Sequence, residues 1–531
     1  MKQKIFALFL ILCGLCLNLK AETQGDVVGR VLDDSGAPLA GATVQILHAK
    51  SGVTTDEDGY FRIPYSKDGA VRVKVSFVGY QTQTFVLKAD ERKGDQHVLR
   101  LQPDATALDQ VVVTATRTPK ALKDAPVVTR LITANDIKIA DATNIQDLLT
   151  EQMPGLEFGY AMNQETSLNM NGFGGNAVLF LVDGERLAGE TMDNVDYSRL
   201  NLDNVGRIEI VKGAASALYG ANAVAGVINI ISRENSEPWT ANVNTRYNDF
   251  NKEWRHGGSF SFNAGKWNSQ TSIQRTTSDE VQLTSPFDTE SNILHIYGGE
   301  TFNVKERLTY KFSDKVKLIG RGGYFNRISK RSNYDDHYMD YSAGLKTVMN
   351  LSENDNLEIS YGFDQYDKAR YVNDERTHDH DYTNRQNTVR ALYSHIFGKN
   401  TLTVGADFLN DYLTTYQFED NESKNQNSCD AFAQFDYNPL QWLNIVASLR
   451  HDYFSVSSQH ATTGRLALMT KWKGFSIRAN YAGGFRAPTL KEMYMNFDMA
   501  GMQMIYGNPD LKPEKSNNYN LALEHTGRVK N

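Results

Sequence analysis

From residue 239 to the end of the chain, apolar and polar side chains alternate one for one over long stretches. Leu357, Ile359, Tyr361 and Phe363 alternate with Glu358, Ser360, Gly362 and Asp364; Leu402, Val404, Ala406 and Phe408 alternate with Thr401, Thr403, Gly405 and Asp407; Phe475, Ile477, Ala479 and Tyr481 alternate with Ser476, Arg478 and Asn480. Successive side chains of a strand point to opposite faces, so each segment carries one apolar face and one polar face. A helix would need its apolar residues every three or four positions. Fourteen strands can be laid out, at 239–249, 257–264, 268–277, 301–313, 315–327, 341–350, 356–369, 383–397, 400–418, 426–438, 441–454, 459–472, 474–484 and 516–526. Connections after even-numbered strands are tight, as at Gly265-Lys266-Trp267, Ser313-Asp314, Gly398-Lys399, Asn438-Pro439-Leu440 and Lys473. Those after odd-numbered strands, at 278–300, 328–340, 370–382 and 485–515, are longer and more polar. An apolar outer face, a polar inner face and loops that alternate in length describe an antiparallel transmembrane β-barrel. A soluble propeller would show a blade-length repeat and give no reason for the loop asymmetry.

Composition fits. The chain has 26 Tyr and 25 Phe but only 12 Pro, and its mean hydropathy is negative. After the first twenty residues no run reaches the roughly 18 apolar residues of a spanning helix. The formal charge of −7 argues against a nucleic-acid partner, which needs a basic face. Residues 1–21 read as a cleaved signal peptide, with Lys2 and Lys4 ahead of an apolar run from Ile5 to Leu17. Cys13 and Cys16 leave with it, so Cys429 alone remains and no intramolecular disulfide is expected.

Two smaller regions precede the barrel at 236–531. Residues 22–102 hold short alternating runs at Val27 to Val31, Thr43 to Leu47, Tyr60 to Ile63, Val71 to Phe77 and Thr84 to Leu87, separated by turn residues, which predicts a β-sandwich. Asp56-x-Asp58-Gly59 reads as a plain hairpin turn, lacking the length and closing Glu of a calcium loop. Residues 121–235 form a small α/β unit. Its helix lies around Asn144 to Leu149, and its apolar runs are Val178 to Val182, Ile208 to Val211 and Val227 to Ile231. Between the two regions, the linker 103–120 carries Leu108-Asp-Gln-Val-Val-Val-Thr-Ala-Thr-Arg117, which reads as an extended strand. It belongs either to the next domain or to a partner's sheet edge.

Several motifs point to one family. Gly29-x-Val31-x-Asp33, Pro38-Leu39-x-Gly41-Ala42-x-Val44 and Thr55-Asp56-x-Asp58-Gly59-x-Phe61 resemble the carboxypeptidase-regulatory-like domain. Met153-Pro154-Gly155, Leu181-Val-Asp-Gly184, Arg207-Ile-Glu-Ile-Val-Lys-Gly213 and Ser216-Ala-Leu-Tyr219-Gly220 resemble the plug domain of a TonB-dependent outer-membrane receptor. Gly213 to Gly220 lacks the spacing of a phosphate loop. Its small residues instead suit close backbone packing inside a confining wall. The linker resembles a TonB box, which assigns Asp109, Gln110, Val111, Val112, Val113 and Thr114 to coupling with a periplasmic TonB-like complex. The resemblance also implies outer-membrane lipid as surroundings and an iron chelate, haem or a ferric siderophore, as ligand, with cobalamin or an oligosaccharide as alternatives. A non-transporting surface protein is the rival outside that class. About 22 strands are usual around such a plug, so this chain is expected to be truncated at its C-terminus.

For the ligand, Phe485-Arg486-Ala487-Pro488 and Asn508-Pro509-Asp510-Leu511 resemble paired boxes of haem receptors, but no His stands between them. Met493, Met495, Met499, Met502 and Met504 do. Thioethers either ligate soft metals or pack. Tyr160, Met162, Asn163, Arg486, Met495, Met499, Met502 and Met504 are the expected ligand contacts, and His378 and His380 the expected metal contacts. There is no Gly-x-Ser-x-Gly, no His-Glu-x-x-His and no nucleotide fingerprint, so neither catalysis nor a resident cofactor is expected.

Overall fold

The computed structural model describes residues 25–33, 36, 38–47, 52–65, 71–77, 83–87, 97–101, 111–160, 164–190, 194–235, 237–284, 293–419, 422–456, 458–499 and 501–525. The chain divides into two compact units, Met1–Gln110 and Val111–Asn531. The expected signal peptide lies outside the described residues.

The first unit has seven strands: β1 (Gly25–Leu32), β2 (Thr43–Ile46), β3 (Gly52–Thr54), β4 (Tyr60–Tyr65), β5 (Val71–Ser76), β6 (Gln83–Leu87) and β7 (His97–Arg100). They form two sheets, ordered β4-β1-β7 and β3-β2-β5-β6. Alternation builds the layer between them: Val71, Val73 and Val75 are buried while Arg72 and Lys74 are exposed. Val27, Val31, Val44, Ile46, Phe61 and Ile63 complete this core. Asp56 accepts the amides of Asp58 and Tyr60 at 3.1 and 2.7 Å, and Gly59 takes φ +79°. This turn does not close a hairpin: it carries the chain from one sheet into the other.

The second unit begins with an inner α/β domain. Its strands are β8 (Val111–Val112), β9 (Lys120–Ala121), β10 (Thr129–Thr133), β11 (Leu156–Tyr160), β12 (Thr166–Met170), β13 (Phe173–Gly174), β14 (Val178–Val182), β15 (Glu185–Arg186), β16 (Val205–Lys212) and β17 (Gly226–Ser232). Its helices are α1 (Ala134–Ala140), α2 (Ile145–Gln152) and α3 (Ser216–Tyr219). The central sheet runs β10-β16-β17-β14-β15, with β14 parallel to β17. The turn at Asp183 (φ +51°) and Gly184 (φ +85°) joins β14 to β15, the left-handed pair a two-residue hairpin needs. Thr133 and Asp136 form a capping box on α1, and Asn144 accepts the Asp147 amide at 2.8 Å to start α2. Ile145, Leu148 and Leu149 put one face of α2 onto the sheet with Ile208, Ile210 and Ile228.

Around this domain runs a fourteen-stranded antiparallel sheet: β18 (Trp239–Asn248), β19 (Glu253–Ala264), β20 (Trp267–Ser278), β23 (Gly299–Lys311), β24 (Val316–Lys330), β25 (Asp335–Asn350), β26 (Asp355–Val372), β27 (Glu375–Phe397), β28 (Asn400–Thr415), β29 (Ser423–Leu440), β30 (Leu443–Phe454), β31 (Gln459–Trp472), β32 (Phe475–Arg486) and β35 (Glu514–His525). Two outer hairpins interrupt it, β21 (Val281–Thr284) with β22 (Ile293–Ile296) and β33 (Asn496–Met499) with β34 (Gln503–Tyr506); the second follows α4 (Leu490–Tyr494). All fourteen expected strands are present. The stretches 328–340 and 370–382 are mostly strand, not loop. β24–β25 and β26–β27 continue as ladders to tight turns, the second built on left-handed Asn373 and Asp374. Cross-strand bonds satisfy their polar backbone, so polar composition there does not signal irregularity. Among the described residues β18 and β35 do not pair with each other, so the sheet has two edges.

Candidate functional site

The inner domain is held to the wall by charge as much as by apolar contact. Val112, Ala115, Leu179, Leu181, Leu218 and Tyr219 pack against wall residues Leu392, Phe432, Val446 and Ala467. Elsewhere inward-facing Arg and Asp do the work. Arg199 pairs with Asp340 at 2.6 Å and Asp364 at 2.8 Å, and donates to the Ala188 carbonyl at 2.6 Å. Burial works against its charge, but the two aspartates raise its pKa above the usual Arg value. Arg390 pairs with Asp407 at 2.7 Å and donates to the Gly184 carbonyl at 3.0 Å. The glycines fit this closeness: a Cβ on Gly189, Gly213 or Gly220 would lie 2.5 Å or less from Tyr366, Asn518 or Arg450.

The expected coupling segment is stowed inside. Asp109 and Gln110 lie outside the described residues. Val111 and Val112 pair with Ala121 and Lys120. The expected strand ends there, because the chain turns at Thr114 to Thr116, whose side chains are buried. Glu209 Oε2 accepts the amides of Val113 and Thr114 at 2.9 and 2.7 Å, while Glu209 Oε1 takes Arg207 Nε at 2.8 Å. Tyr219 donates its hydroxyl to the Thr114 carbonyl at 3.0 Å. Burial pushes the Tyr219 phenol up against the pull of Arg117, so it keeps the proton it donates. Asn229 donates to Thr114 Oγ1 at 3.0 Å, Gln434 to the Thr116 carbonyl at 2.6 Å and Arg465 to the Ala115 carbonyl at 3.2 Å. Arg117 stacks over Tyr219 at 4.2 Å and donates to the Leu218 carbonyl at 2.7 Å.

At the long-loop end, cations and phenols share one layer. Glu165 binds Arg327 at 3.1 Å, the Tyr338 hydroxyl at 2.9 Å and Arg331 at 3.7 Å. Asp196 binds Arg327 at 3.0 Å and the Tyr366 hydroxyl at 2.8 Å. Asp336 serves Lys368 and Arg370 at 3.6 and 3.3 Å. Arg327 lies 3.9 Å over Tyr338, Arg370 3.8 Å over Tyr334 and Arg331 4.6 Å over Tyr297. The result is a largely buried layer of four cations, three carboxylates and phenol rings at this end, in which Tyr338 and Tyr366 are fully buried in one cluster with Leu490 and Met493.

The sequence-predicted contacts fall in different places. Tyr160 is 77% exposed at the tip of β11, and Met162 and Asn163 lie outside the described residues. Arg486 does not face an open mouth: Glu492 and Glu514 hold it at 2.8 and 2.5 Å. The methionines do not converge. Met493 is buried among Phe325, Tyr338, Tyr366 and Leu490, and Met495 bridges to Phe418. Met499 pairs across the β33–β34 hairpin with Gln503 and Met504 with Asp498, so Met499 and Met504 lie on opposite faces. Met502 at the turn is 72% exposed. Packing against the inner domain is therefore not what these three do. His378 binds Asp381 at 2.8 Å, whereas His380 contacts Asp379 and Arg370 at 3.0 and 2.7 Å. No group of three metal-ligating side chains occurs among the described residues. Sequence reasoning missed Glu209 and Arg199. Glu209 carried a signal, an acid inside the apolar run Ile208 to Val211.

Comparison with known proteins agrees with this geometry. The TonB-dependent Receptor Plug Domain matches residues 121–227, the TonB dependent receptor-like β-barrel residues 215–530, and the CarboxypepD_reg-like domain residues 27–113. The vitamin B12 transporter BtuB of Photobacterium profundum is 26% identical over 80% of this chain and 69% of its own length. An iron-regulated outer membrane virulence protein of Vibrio cholerae is 24% identical over 80% of this chain and 67% of its own. In structure, the siderophore receptor PirA of Acinetobacter baumannii superposes with a TM-score of 0.64 at 17% identity, covering 75% of this chain and 68% of its own. The ferric enterobactin receptor PfeA of Pseudomonas aeruginosa gives 0.64 at 16% identity, covering 75% and 70%. With its barrel model spanning more than half of the sequence, the chain belongs to the TonB-dependent receptors, plugged β-barrel proteins of the Gram-negative outer membrane.

Proposed function

We propose that this receptor takes up an iron chelate, haem or a ferric siderophore, at its outer mouth, and that a periplasmic TonB-like complex pulls on residues 109–114 to move the plug. Residues 1–21 are the signal peptide that directs it out of the cytoplasm. The observation that carries the ligand class is the layer of Arg327, Arg331, Lys368 and Arg370 interleaved with half-buried Tyr297 and Tyr334. Guanidinium groups recognise carboxylate and other anionic oxygens in a fixed fork geometry. Tyrosine offers an apolar ring with a polar tip to a planar or aromatic chelate. Cobalamin is the second reading, favoured by the relatives named as vitamin B12 transporters.

Titration of the purified receptor with haem, ferric siderophores and cobalamin separates the readings. Arg370→Ala is expected to weaken a ferric chelate at least tenfold and leave cobalamin unaffected. Tight binding of cobalamin alone would overturn the iron reading. Deleting residues 109–114 is expected to abolish uptake by energised cells and leave ligand affinity unchanged; unchanged uptake would remove the coupling assignment.

A further inference from the structure

His451 and His460 form a pair that neither the plug nor the mouth uses. Both face away from the lumen. The neighbours of His451 in β30, Arg450 and Asp452, point inward, where Arg450 binds Asp452 at 2.9 Å and Asp430 at 2.5 Å. Alternation therefore turns His451 outward, beside exposed Leu449 and Tyr453. His460 lies likewise between inward Ala461 and Gln459, which donates to the Leu511 carbonyl. The register sets Tyr453 opposite His460 and His451 opposite Thr462, which makes the two histidines diagonal neighbours. His451 Nε2 and His460 Nδ1 are 3.1 Å apart, with ring centroids at 5.2 Å and planes 28° from parallel.

We propose that His451 and His460 together bind one divalent late first-row transition ion, such as Cu2+ or Zn2+, on the outer rim of the barrel. Imidazole nitrogens bind such ions at about 2.05 Å. Two of them 3.1 Å apart subtend about 98° at a shared ion, between the octahedral and tetrahedral angles. Thr462 Oγ1 lies 2.8 Å from His451 Nδ1. When Nδ1–H donates to that hydroxyl, the orienting contact metal-bound histidines ordinarily have, Nε2 carries a lone pair and no proton and is free to take an ion. When the ion takes His460 Nδ1, the proton that nitrogen shares with His451 Nε2 passes to His460 Nε2, so both rings stay neutral. Tyr453 lies tilted by 41° against His460, ring centroids 5.0 Å apart, and closes one side. Water fills the remaining positions.

Depth makes the site reachable. His451 lies nine residues beyond Trp442 at the short-turn end. At about 3.3 Å per residue and a tilt of about 40°, that is about 23 Å, close to the height of the apolar band of such barrels. The pair thus stands at the outer headgroup level, not in hydrocarbon.

The test uses the full chain in detergent with His378→Gln/His380→Gln as background, which removes the other near-neighbour histidines. Titration with Cu2+ is expected to fill one site per chain whose electron paramagnetic resonance spectrum carries couplings from two imidazole nitrogens. His451→Gln and His460→Gln are each expected to weaken it tenfold or more, and the double variant to abolish it. An unchanged titration in the double variant, or in either single variant, overturns the proposal. A second measurement needs no variant at the pair. A nitroxide on exposed Cys429, which sits opposite Tyr453 on the adjoining strand, is expected to broaden on adding one equivalent of Cu2+. No broadening overturns the site equally.

Discussion

Glu209 holds Thr114: its carboxylate accepts the Thr114 amide at 2.7 Å across 95 residues of sequence, and takes the Val113 amide on the same oxygen. The acid is fully buried, and its other oxygen is fixed by Arg207. The segment proposed for coupling is thereby attached to the central sheet of the plug, where Asn229 adds a bond to Thr114 Oγ1. Hydrogen bonds to a charged group contribute about 1.5–3 kcal/mol each. Glu209→Gln is expected to release roughly 2 kcal/mol of this hold, raising the freed population of the segment more than tenfold. A nitroxide at Val113→Cys, in a Cys429→Ser background, is expected to show a mobile fraction without ligand in this variant and an immobile signal in the parent.

Tyr219 offers a finer probe of the same attachment. Tyr219→Phe keeps the ring under Arg117 and removes only the hydroxyl that donates to Thr114. The loss is expected to be about 1 kcal/mol. Amide exchange of residues 112–116 is expected to quicken about fivefold, with ligand affinity unchanged, because Tyr219 packs in the cluster of Leu218, Phe432 and Val446 and not in that of Tyr338 and Tyr366.

The wall was legible because its physics is local. One residue of slip would turn every side chain of a strand to the wrong face, so alternation specifies strands such as Leu402 to Phe408 without reference to partners. The apolar runs of the plug were legible for a similar reason: Val178 to Val182 is buried on both faces. The attachments between plug and wall were not. Arg199 meets Asp340 and Asp364 across 141 and 165 residues, and nothing local to Arg199 distinguishes it from a solvated surface residue. The Met-rich stretch misled because composition does not say which way a hairpin faces. The turn at Met502 sends Met499 and Met504 to opposite sides.

Acid is expected to loosen the plug. Burial pushes the Asp196 carboxyl up, but Arg327 and hydrogen bonds from Ser198 and Tyr366 outweigh it and hold it below the usual carboxylate range. Glu185 is likewise depressed, by Arg390, Arg321 and Lys346 against its burial. A group whose folded value is depressed stabilises the fold above its unfolded value, about pH 4, and that stabilisation is lost as pH falls through the folded value. The margin in thermal midpoint of the parent over Asp196→Asn is expected to be level from pH 7 to 5 and to shrink below pH 4. Asp196→Asn is expected to lower the midpoint at pH 7 and to show a shallower fall in acid.

Arg199 is the side chain whose loss the plug should tolerate least. It is buried and answers two buried aspartates of the wall, Asp340 and Asp364, while also holding the Ala188 carbonyl. Arg199→Leu leaves two carboxylates facing each other with their cation gone, a loss of about 3–5 kcal/mol. Arg199→Lys keeps the charge but cannot reach both acids and the carbonyl with a planar fork, so an intermediate loss is expected. The cost should come from the stranded acids and not from the missing guanidinium itself. Arg199→Leu/Asp340→Asn/Asp364→Asn is therefore expected to regain most of the stability lost in the single variant, read as the thermal midpoint of the folded receptor on heat-modifiable gels. If the triple variant is no more stable than Arg199→Leu, the stability lost comes from the hold on the Ala188 carbonyl within the plug instead of from charge at the wall.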